Sequence, residues 1–492
     1  MNHFKKINIK GPQSILVFMI LFNFFTASCK KKENVEPQLS ISSSEIAFQP
    51  EGSVSNVTVA SNGKWSTKNP ADSWLQLNRM VGNEGNTELK LTAVPNTTGS
   101  SRSVILTVTS DNGQARRLTL SQASVLYPSY NTSPKAPDQT GMSSNAVQLA
   151  AKMKLGWNIG NTMESPGGES GWGNPQITES YVKFLKQTGF NAVRLPCSWD
   201  WYHLSDRSKA TIDPAWLNRV KEVVKYCVDN DMYVLLNIHW DGGWLDHNIN
   251  AAKKDSVNAK QKAYWEQIAT TMRDFDEHLM FASANEPPAE NAEQMAILNS
   301  YHQTFINAVR STGGRNSYRV LVVQGPGTDI DKTNNLMNSL PTDQVPNRLM
   351  VEVHNYTPSQ FTILDSDASW GKMFYYWGTG HHSTVQLDRN ATWGEESEHI
   401  RIFGLMKSKF IDKGIPVILG EYGAYKRGGS RNVPLDLAAH NASVDYWNNY
   451  VTKQAIQFGL KPFFWDTGGA LDRRNNTVLD QGTINALVTA GK

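Results

Sequence analysis

The sequence predicts an α/β protein, a (β/α)8 TIM barrel preceded by a small immunoglobulin-like β-sandwich. Three observations carry this. The chain has 492 residues, room for several domains of ~100–200 residues each. Residues 37–124 hold short alternating segments separated by turn residues, the pattern of half-buried strands. Residues 142–492 hold apolar runs without alternation, separated by helix-length stretches, the pattern of parallel strands buried on both faces. Charged residues are 19% with a net charge of +3, which excludes a disordered polyelectrolyte and gives no support to nucleic-acid binding. The 3 cysteines exclude a disulfide-built fold.

Residues 1–29 read as an export signal. Lys5, Lys6 and Lys10 precede an apolar run from Ile15 to Phe25 that only Asn23 interrupts. The run is too short for an untilted spanning helix of ~20 residues. Thr26-Ala27-Ser28-Cys29 then resembles a bacterial lipoprotein box, with Thr26 where leucine is usual. That resemblance implies acylation of Cys29 and attachment to the bacterial outer membrane, on its cell-surface or periplasmic face. An ordinary secretory signal with an incidental cysteine is the alternative. Nothing later in the chain has a long uninterrupted apolar run, so the lipid is the only membrane attachment expected. Cys197 and Cys227 lie in apolar contexts and read as buried thiols.

The candidate strands of the N-terminal module are Ser43 to Phe48, Ser53 to Val59, Trp74 to Leu77, Glu88 to Ala93, Arg102 to Thr109 and Ala115 to Gln122. Asn62-Gly63, Asn83 to Gly85, Thr98-Gly99 and Asp111-Asn112-Gly113 are the turns between them. Leu39 to Ala123, with Trp65, Trp74 and the closing Leu118-Thr119-Leu120-Ser121-Gln122, resembles the BACON domain of Bacteroidetes. This resemblance implies an immunoglobulin-like sandwich attached to a secreted glycan hydrolase. It acts as a spacer or as a carbohydrate binder; Trp65 and Trp74 read as core residues rather than sugar platforms. Residues 125–141, with Pro128, Pro134 and Pro137, read as a semi-rigid linker.

Eight runs place the barrel strands: Lys154 to Ile159, Ala192 to Pro196, Tyr233 to Ile238, Leu279 to Ala284, Arg319 to Val323, Leu349 to Val353, Val417 to Leu419 and Pro462 to Trp465. A doubly wound open sheet is the alternative, but no Gly-rich phosphate loop follows any run.

Catalytic groups of a barrel sit at the C-terminal ends of its strands. Here nearly every run closes on polar residues. They are Gly156 to Asn161, Val193-Arg194-Leu195-Pro196, Asn237-Ile238-His239-Trp240, Ala284-Asn285-Glu286-Pro287, Glu352-Val353-His354-Asn355-Tyr356, Leu419-Gly420-Glu421-Tyr422 and Phe463-Phe464-Trp465-Asp466. Helix caps explain an Asn or Asp there. They do not explain Arg194, His239, His354, Glu286 and Glu421 together. Two glutamates on the fourth and seventh runs lie across a barrel mouth, where a retaining glycosidase holds its carboxyls about 5–5.5 Å apart. One must be protonated to donate to the leaving oxygen. The other must be ionised to attack the anomeric carbon, and Arg194 is the cation placed to keep it so.

These motifs resemble glycoside hydrolase family 5 over essentially residues 142–490, a clan of retaining β-glycanases. The resemblance implies Glu286 as acid/base, Glu421 as nucleophile and Arg194 beside it. It implies that Asn285 bonds the sugar 2-hydroxyl, that His239, His354 and Tyr356 surround the cleaved bond, and that Trp465 forms the floor. In the family that tryptophan commonly precedes a cis peptide, which makes Trp465-Asp466 a candidate for strain. Gly156 to Glu164 and Trp172-Gly173-Asn174-Pro175 resemble the endoglucanase and xyloglucanase branch, where Asn161 and Glu164 would bond the next sugar. Many relatives carry two consecutive histidines after the third strand; here Trp240 follows His239 and adds a stacking face.

Of 15 tryptophans, 13 lie after residue 142, a surplus of flat apolar faces suited to sugar rings. Trp172, Trp199, Trp201, Trp240, Trp244 and Trp377 are candidate platforms, each with core packing as its alternative. His381-His382, and His239 with Asp241, Asp246 and His247, invite a metal reading, but the glycosidase chemistry needs neither metal nor other cofactor. The expected activity is a retaining endo-β-1,4-glucanase acting as a monomer on cellulose, mixed-linkage glucan or xyloglucan. A β-mannanase, or a non-catalytic surface glycan-binding lipoprotein, remains the alternative.

Overall fold

The structure, a computed structural model, describes residues 36–98, 100–428 and 432–492. The stretch read as an export signal, residues 1–29 with Cys29, lies outside the described residues. The chain divides into two compact units, Ser124 onward forming the body of the second.

The first unit is a sandwich of two sheets. One has the strand order Leu39–Ile41, Ser53–Ser61, Gly85–Ala93, Leu75–Leu77. The other runs Glu45–Phe48, Ala115–Gln122, Arg102–Ser110, Trp65–Ser66, Val81–Gly82. Alternation turns Val57, Val59, Leu89, Leu91, Leu106, Val108, Leu118 and Leu120 inward, where each is essentially inaccessible. Trp65 and Trp74 are buried in this core, as the packing reading has it. Gly82 lies flat against the Trp65 indole, closer than any side chain at that position would allow.

The second unit is a closed barrel of parallel strands: β1 Gly156–Ile159, β2 Ala192–Leu195, β3 Tyr233–Asn237, β4 Leu279–Ala282, β5 Leu321–Gln324, β6 Leu349–Asn355, β7 Val417–Tyr422 and β8 Lys461–Asp466. Each falls on a predicted run, and β8 pairs with β1 to close the ring. Leu235, Met280, Val322, Met350, Ile418 and Phe463 meet in the lumen, which the helix Ala146–Lys152 plugs from below. Burying each such side chain stabilises by roughly 1.5–3 kcal/mol.

Two residues further along the same strands, the inward positions become Asn158, Arg194, Asn237, Gln324 and Glu352, each fully buried. Period-2 geometry thus stacks a polar layer directly on an apolar one. On β7 the period is broken. The β6–β7 register shifts after Val353↔Leu419 and resumes at His354↔Glu421, so Gly420 is an extra residue. Ile418 packs in the lumen and Leu419 and Tyr422 in the outer layer, so strict alternation would send Glu421 outward. The bulge turns it inward instead.

Residues 125–141 depart from the linker reading: they are fastened along the barrel. The Tyr130 amide donates to Glu266 Oε2 at 2.6 Å, and Asn131 Nδ2 donates to the Ser311 carbonyl at 2.8 Å. Lys135–Pro137 pairs as a parallel strand with Gly313–Gly314. Prolines stiffened the reading, but the donors and acceptors around them find partners on the barrel helices. Among the described residues no helix is long and apolar enough to cross a membrane.

Candidate active site

Arg194 organises the C-terminal mouth. Its guanidinium is wholly buried: Nη1 donates to Glu421 Oε1 at 2.7 Å and Asn158 Oδ1 at 3.0 Å, and Nη2 to Asn285 Oδ1 at 2.7 Å. Its Nε stands 2.8 Å from Glu352 Oε1. Asn158 is itself tied by Nδ2 to the Gly420 carbonyl at 2.8 Å, which links β1, β2 and β7. Because Arg194 occupies Asn285 Oδ1, the Asn285 amide nitrogen is the donor left for a sugar hydroxyl.

Glu286 and Glu421 meet across the mouth. With His354, each offers an atom within 4.8 Å of the others. That closeness matches a retaining glycosidase and not the wider spacing of ~6.5–9.5 Å that admits a water for inversion. The Tyr356 hydroxyl donates to Glu421 Oε2 at 3.1 Å. His354 Nδ1 lies 2.7 Å from Glu286 Oε1, and its Nε2 lies 3.2 Å from Glu352 Oε1.

Burial alone would lower His354, but the carboxylates of Glu421, Glu286 and Glu352 outweigh it and push the imidazole up to about 9. Burial pushes Glu421 above its ordinary value, against His354 and Arg194. Burial acts upward on Glu286 too, yet the His354 hydrogen bond and the charges of His354 and Arg194 bring it below its ordinary value in the open cleft. The uncovered cleft thus leaves the stronger hold on a proton at Glu421 rather than Glu286. The Glu286 side chain is 44% exposed whereas that of Glu421 is 8% exposed, so a sugar over the cleft desolvates chiefly Glu286 and raises it. Arg194, which cannot lose its proton, opposes the rise of Glu421.

His239 stacks parallel to Trp465, ring centroids 5.8 Å apart. Its Nδ1 lies 3.3 Å from Asn237 Nδ2. Burial, with Arg194 and His354 nearby, holds this imidazole well below its ordinary value and neutral. Trp465 is half-buried and leans on Gly160, where an added Cβ would come 2.8 Å from the ring. Its peptide bond to Asp466 is trans; the cis bond among the described residues is Thr357–Pro358. Asp466 continues the β1–β8 register opposite Ile159 and accepts from Gly468, Gly469 and Ala470 amides, an arrangement the extended backbone satisfies.

Glu164, which the branch resemblance sets against the next sugar, has its carboxylate engaged within the protein. It is buried and turned back to the Asn161 and Thr162 amides, holding the loop after β1, and burial pushes its carboxyl up to about 7. Asn161 sits in the left-handed region at φ 56 and is half-buried beside that loop.

Trp240 is 41% exposed and meets Trp201 edge to face at 4.8 Å. Trp172 is also exposed. Trp199 and Trp377 are wholly buried and are core residues, not platforms, while Trp244 is half-buried and donates to Asp241 Oδ2 at 3.0 Å. Asp241 spends its oxygens on the Trp199, Asp200 and Trp201 amides, which fixes the β2 and β3 loops together. His382 pairs with Glu395 and His381 stacks on Tyr446.

Sequence reasoning passed over Glu352, Asn158 and Gln324, which lie inside strands and read as part of them. The available signal was Glu352 itself, an ionisable residue at an inward position of a strand otherwise apolar, two residues before His354.

Comparison with known proteins agrees with this geometry. Residues 157–470 match the family described as cellulase (glycosyl hydrolase family 5), and residues 63–123 match BACON, a putative N-terminal binding domain. The chain is 31% identical over 477 residues to the xyloglucan-specific endo-β-1,4-glucanase of Bacteroides ovatus, covering 93% of this chain and 92% of that protein. It is 31% identical over 409 residues to endoglucanase A of Paenibacillus barcinonensis, 75% of this chain and 95% of that one. The solved structure of the Bacteroides ovatus GH5 xyloglucanase with a XXXG heptasaccharide has a TM-score of 0.68 at 30% identity, covering 92% of this chain and 100% of that one. A GH5 xyloglucan-specific β-1,4-glucanase from a ruminal metagenomic library gives a TM-score of 0.65 at 39% identity over 71% of this chain and 97% of that one. Arrived at from the barrel upward and from its relatives alike, the conclusion is the same: this chain belongs to glycosyl hydrolase family 5.

Proposed function

We propose that the protein is an endo-acting, retaining β-1,4-glucanase that hydrolyses β-glucan chains, xyloglucan foremost, by double displacement. The observation that carries this reading is the approach of the Glu286 and Glu421 carboxylates to within 4.8 Å.

Glu421 attacks the anomeric carbon as Glu286 delivers its proton to the departing glycosidic oxygen. One C–O bond forms, one breaks, and a glycosyl-enzyme ester remains. Glu286, now a carboxylate, takes a proton from water. The resulting hydroxide equivalent attacks the same carbon, releases Glu421 and restores the original anomer. Asn285 Nδ2 and the Tyr356 hydroxyl gain strength as positive charge grows on the ring, which lowers the barrier rather than tightening ground-state binding. Trp465 carries the apolar face of the sugar, and Trp240 offers a second face beside it.

The choice of xyloglucan follows the named specificities of the relatives. Acylation of Cys29, outer-membrane attachment and action as a monomer are parts of the same proposal, supported by the sequence of the leader. Replacement of Cys29 by Ser should move the protein from the membrane to the soluble fraction.

The test is product analysis by reducing-sugar release and proton NMR on xyloglucan, cellulose, mixed-linkage glucan and mannan. Oligosaccharides of several lengths with the β-anomer appearing first, fastest from xyloglucan, are expected. An α-anomer appearing first overturns the mechanism; cleavage of mannan alone moves the activity to a β-mannanase; binding without cleavage makes the protein a glycan-binding lipoprotein.

A further inference from the structure

We propose that Glu352, a carboxylate closed inside the barrel and in contact with neither solvent nor sugar, is a positioning residue that makes Glu286 the carboxyl carrying the catalytic proton. This rests on the functional reading above and deepens it.

Glu352 is wholly buried on β6. Its Oε1 faces Arg194 Nε at 2.8 Å and His354 Nε2 at 3.2 Å, and its Oε2 accepts from Gln324 Nε2 at 2.6 Å. Gln324 Oε1 in turn accepts from the Ala284 amide at 2.9 Å, on the loop that presents Asn285 and Glu286. Room for the carboxylate comes from Gly420, where an added Cβ would stand 2.0 Å from Glu352 Oε1. One buried group thus touches Arg194, which holds the nucleophile, and His354, which holds the acid/base.

The charges facing His354 come from every strand packed around it. Arg194 stands on β2, neutral His239 on β3, Glu286 after β4, Glu352 and Tyr356 on or after β6, and Glu421 on β7. Asp246, in the loop after β3, feels the charge of Glu286, and burial pushes its carboxyl up to about 8, so it adds little charge at neutral pH. The inner cluster therefore holds two cations, Arg194 and His354, and three carboxylates, Glu286, Glu352 and Glu421. An unbalanced charge in a buried site is expensive, so the closed cleft favours one added proton. Glu352 meets only donors, from Arg194, His354 and Gln324. Glu421 meets donors from Arg194 and Tyr356. Glu286 has His354 alone and opens onto the cleft, so once substrate covers it the added proton goes there.

Without the charge of Glu352, two cations face two carboxylates. The cluster then balances with Glu286 ionised, and the acid is lost at lower pH. Glu352→Gln, which keeps volume and removes charge, is the test. Two readouts are needed. The first is the carboxyl 13C titration of Glu286, assigned by its absence in Glu286→Gln; it should fall by about one pH unit or more. This reads the proton whether or not the protein turns over. The second is the alkaline limb of kcat/KM on xyloglucan, which should shift the same way. Hydrolysis of a dinitrophenyl cellooligosaccharide, whose leaving group needs no proton, should be far less affected.

An unmoved Glu286 titration, or equal slowing on both substrates with an unmoved limb, overturns the proposal and leaves Glu352 a packing residue. A moved titration in a parent that cleaves no glycan upholds Glu352 and sinks the glycanase reading. If Glu352→Gln does not fold, Gln324→Met removes one donor from Glu352 and should shift the titration in the same direction by less; no shift there also overturns it.

Discussion

The two units of this chain fill their interiors with opposite chemistry. The sandwich core is Val57, Val59, Leu89, Leu91, Leu106 and their neighbours, and among the described residues it buries no ionisable side chain. The barrel buries Arg194, Glu352, His354 and Glu421 within one layer. An apolar interior stabilises without further conditions, whereas a charged one is stable only while every partner is in place. The contrast separates a region built to persist from one built to react, and each prediction below presses on that separation.

The largest effect belongs to the nucleophile. Glu421→Gln should lower kcat on xyloglucan by about 10⁴-fold or more, measured by reducing-sugar release. The fold should persist by circular dichroism, since Arg194 retains Glu352. Glu286→Gln should lower kcat/KM on polysaccharide by about 10²–10⁴-fold, with a much smaller loss on a dinitrophenyl glycoside. Equal losses on both substrates would remove Glu286 from the acid role.

The opposite region should respond in stability alone. Leu106→Ala empties part of the sandwich core and should cost about 2–5 kcal/mol in denaturant unfolding of that unit. The kcat/KM of the barrel should not change. A parallel fall in activity would erase the contrast between the two interiors.

Next comes pH. His354 is raised from an ordinary 6.5 to about 9, so it holds its proton more tightly folded than unfolded. The stability this brings is whole below pH 6.5 and disappears as pH rises through about 9. Thermal unfolding should show that decline above neutrality, and His354→Gln should flatten it. The smallest effect belongs to Trp240→Ala, which should raise KM several-fold through about 0.5–1.5 kcal/mol of lost stacking with kcat unchanged.

Strand positions were legible because a parallel strand covered on both faces leaves an unbroken apolar run, and every run became a strand. The charged cluster at the barrel mouth was legible because Arg, His and Glu at run ends have no cheaper explanation. What lay inside the runs was not legible. Glu352 read as strand and Gln324 fell one residue past its run, because a linear pattern does not reveal which residues face a lumen until all eight strands are closed. Trp199 and Trp377 show the converse: an indole in a loop gives no sign of whether its face meets sugar or a helix. Residues 125–141 read as a linker because proline marks stiffness, while attachment to the barrel depends on acceptors such as Glu266 more than a hundred residues away.

The extra residue on β7 has a consequence for how this enzyme can change. Because the bulge leaves Gly420 and Glu421 both facing the lumen, position 420 lies against Glu352 Oε1, 2.0 Å from where a Cβ would stand, and is closed to any larger residue. Deleting Gly420 would restore strict alternation and leave Glu421 facing the lumen, but one residue further back along β7, without the Gly420 carbonyl that anchors Asn158.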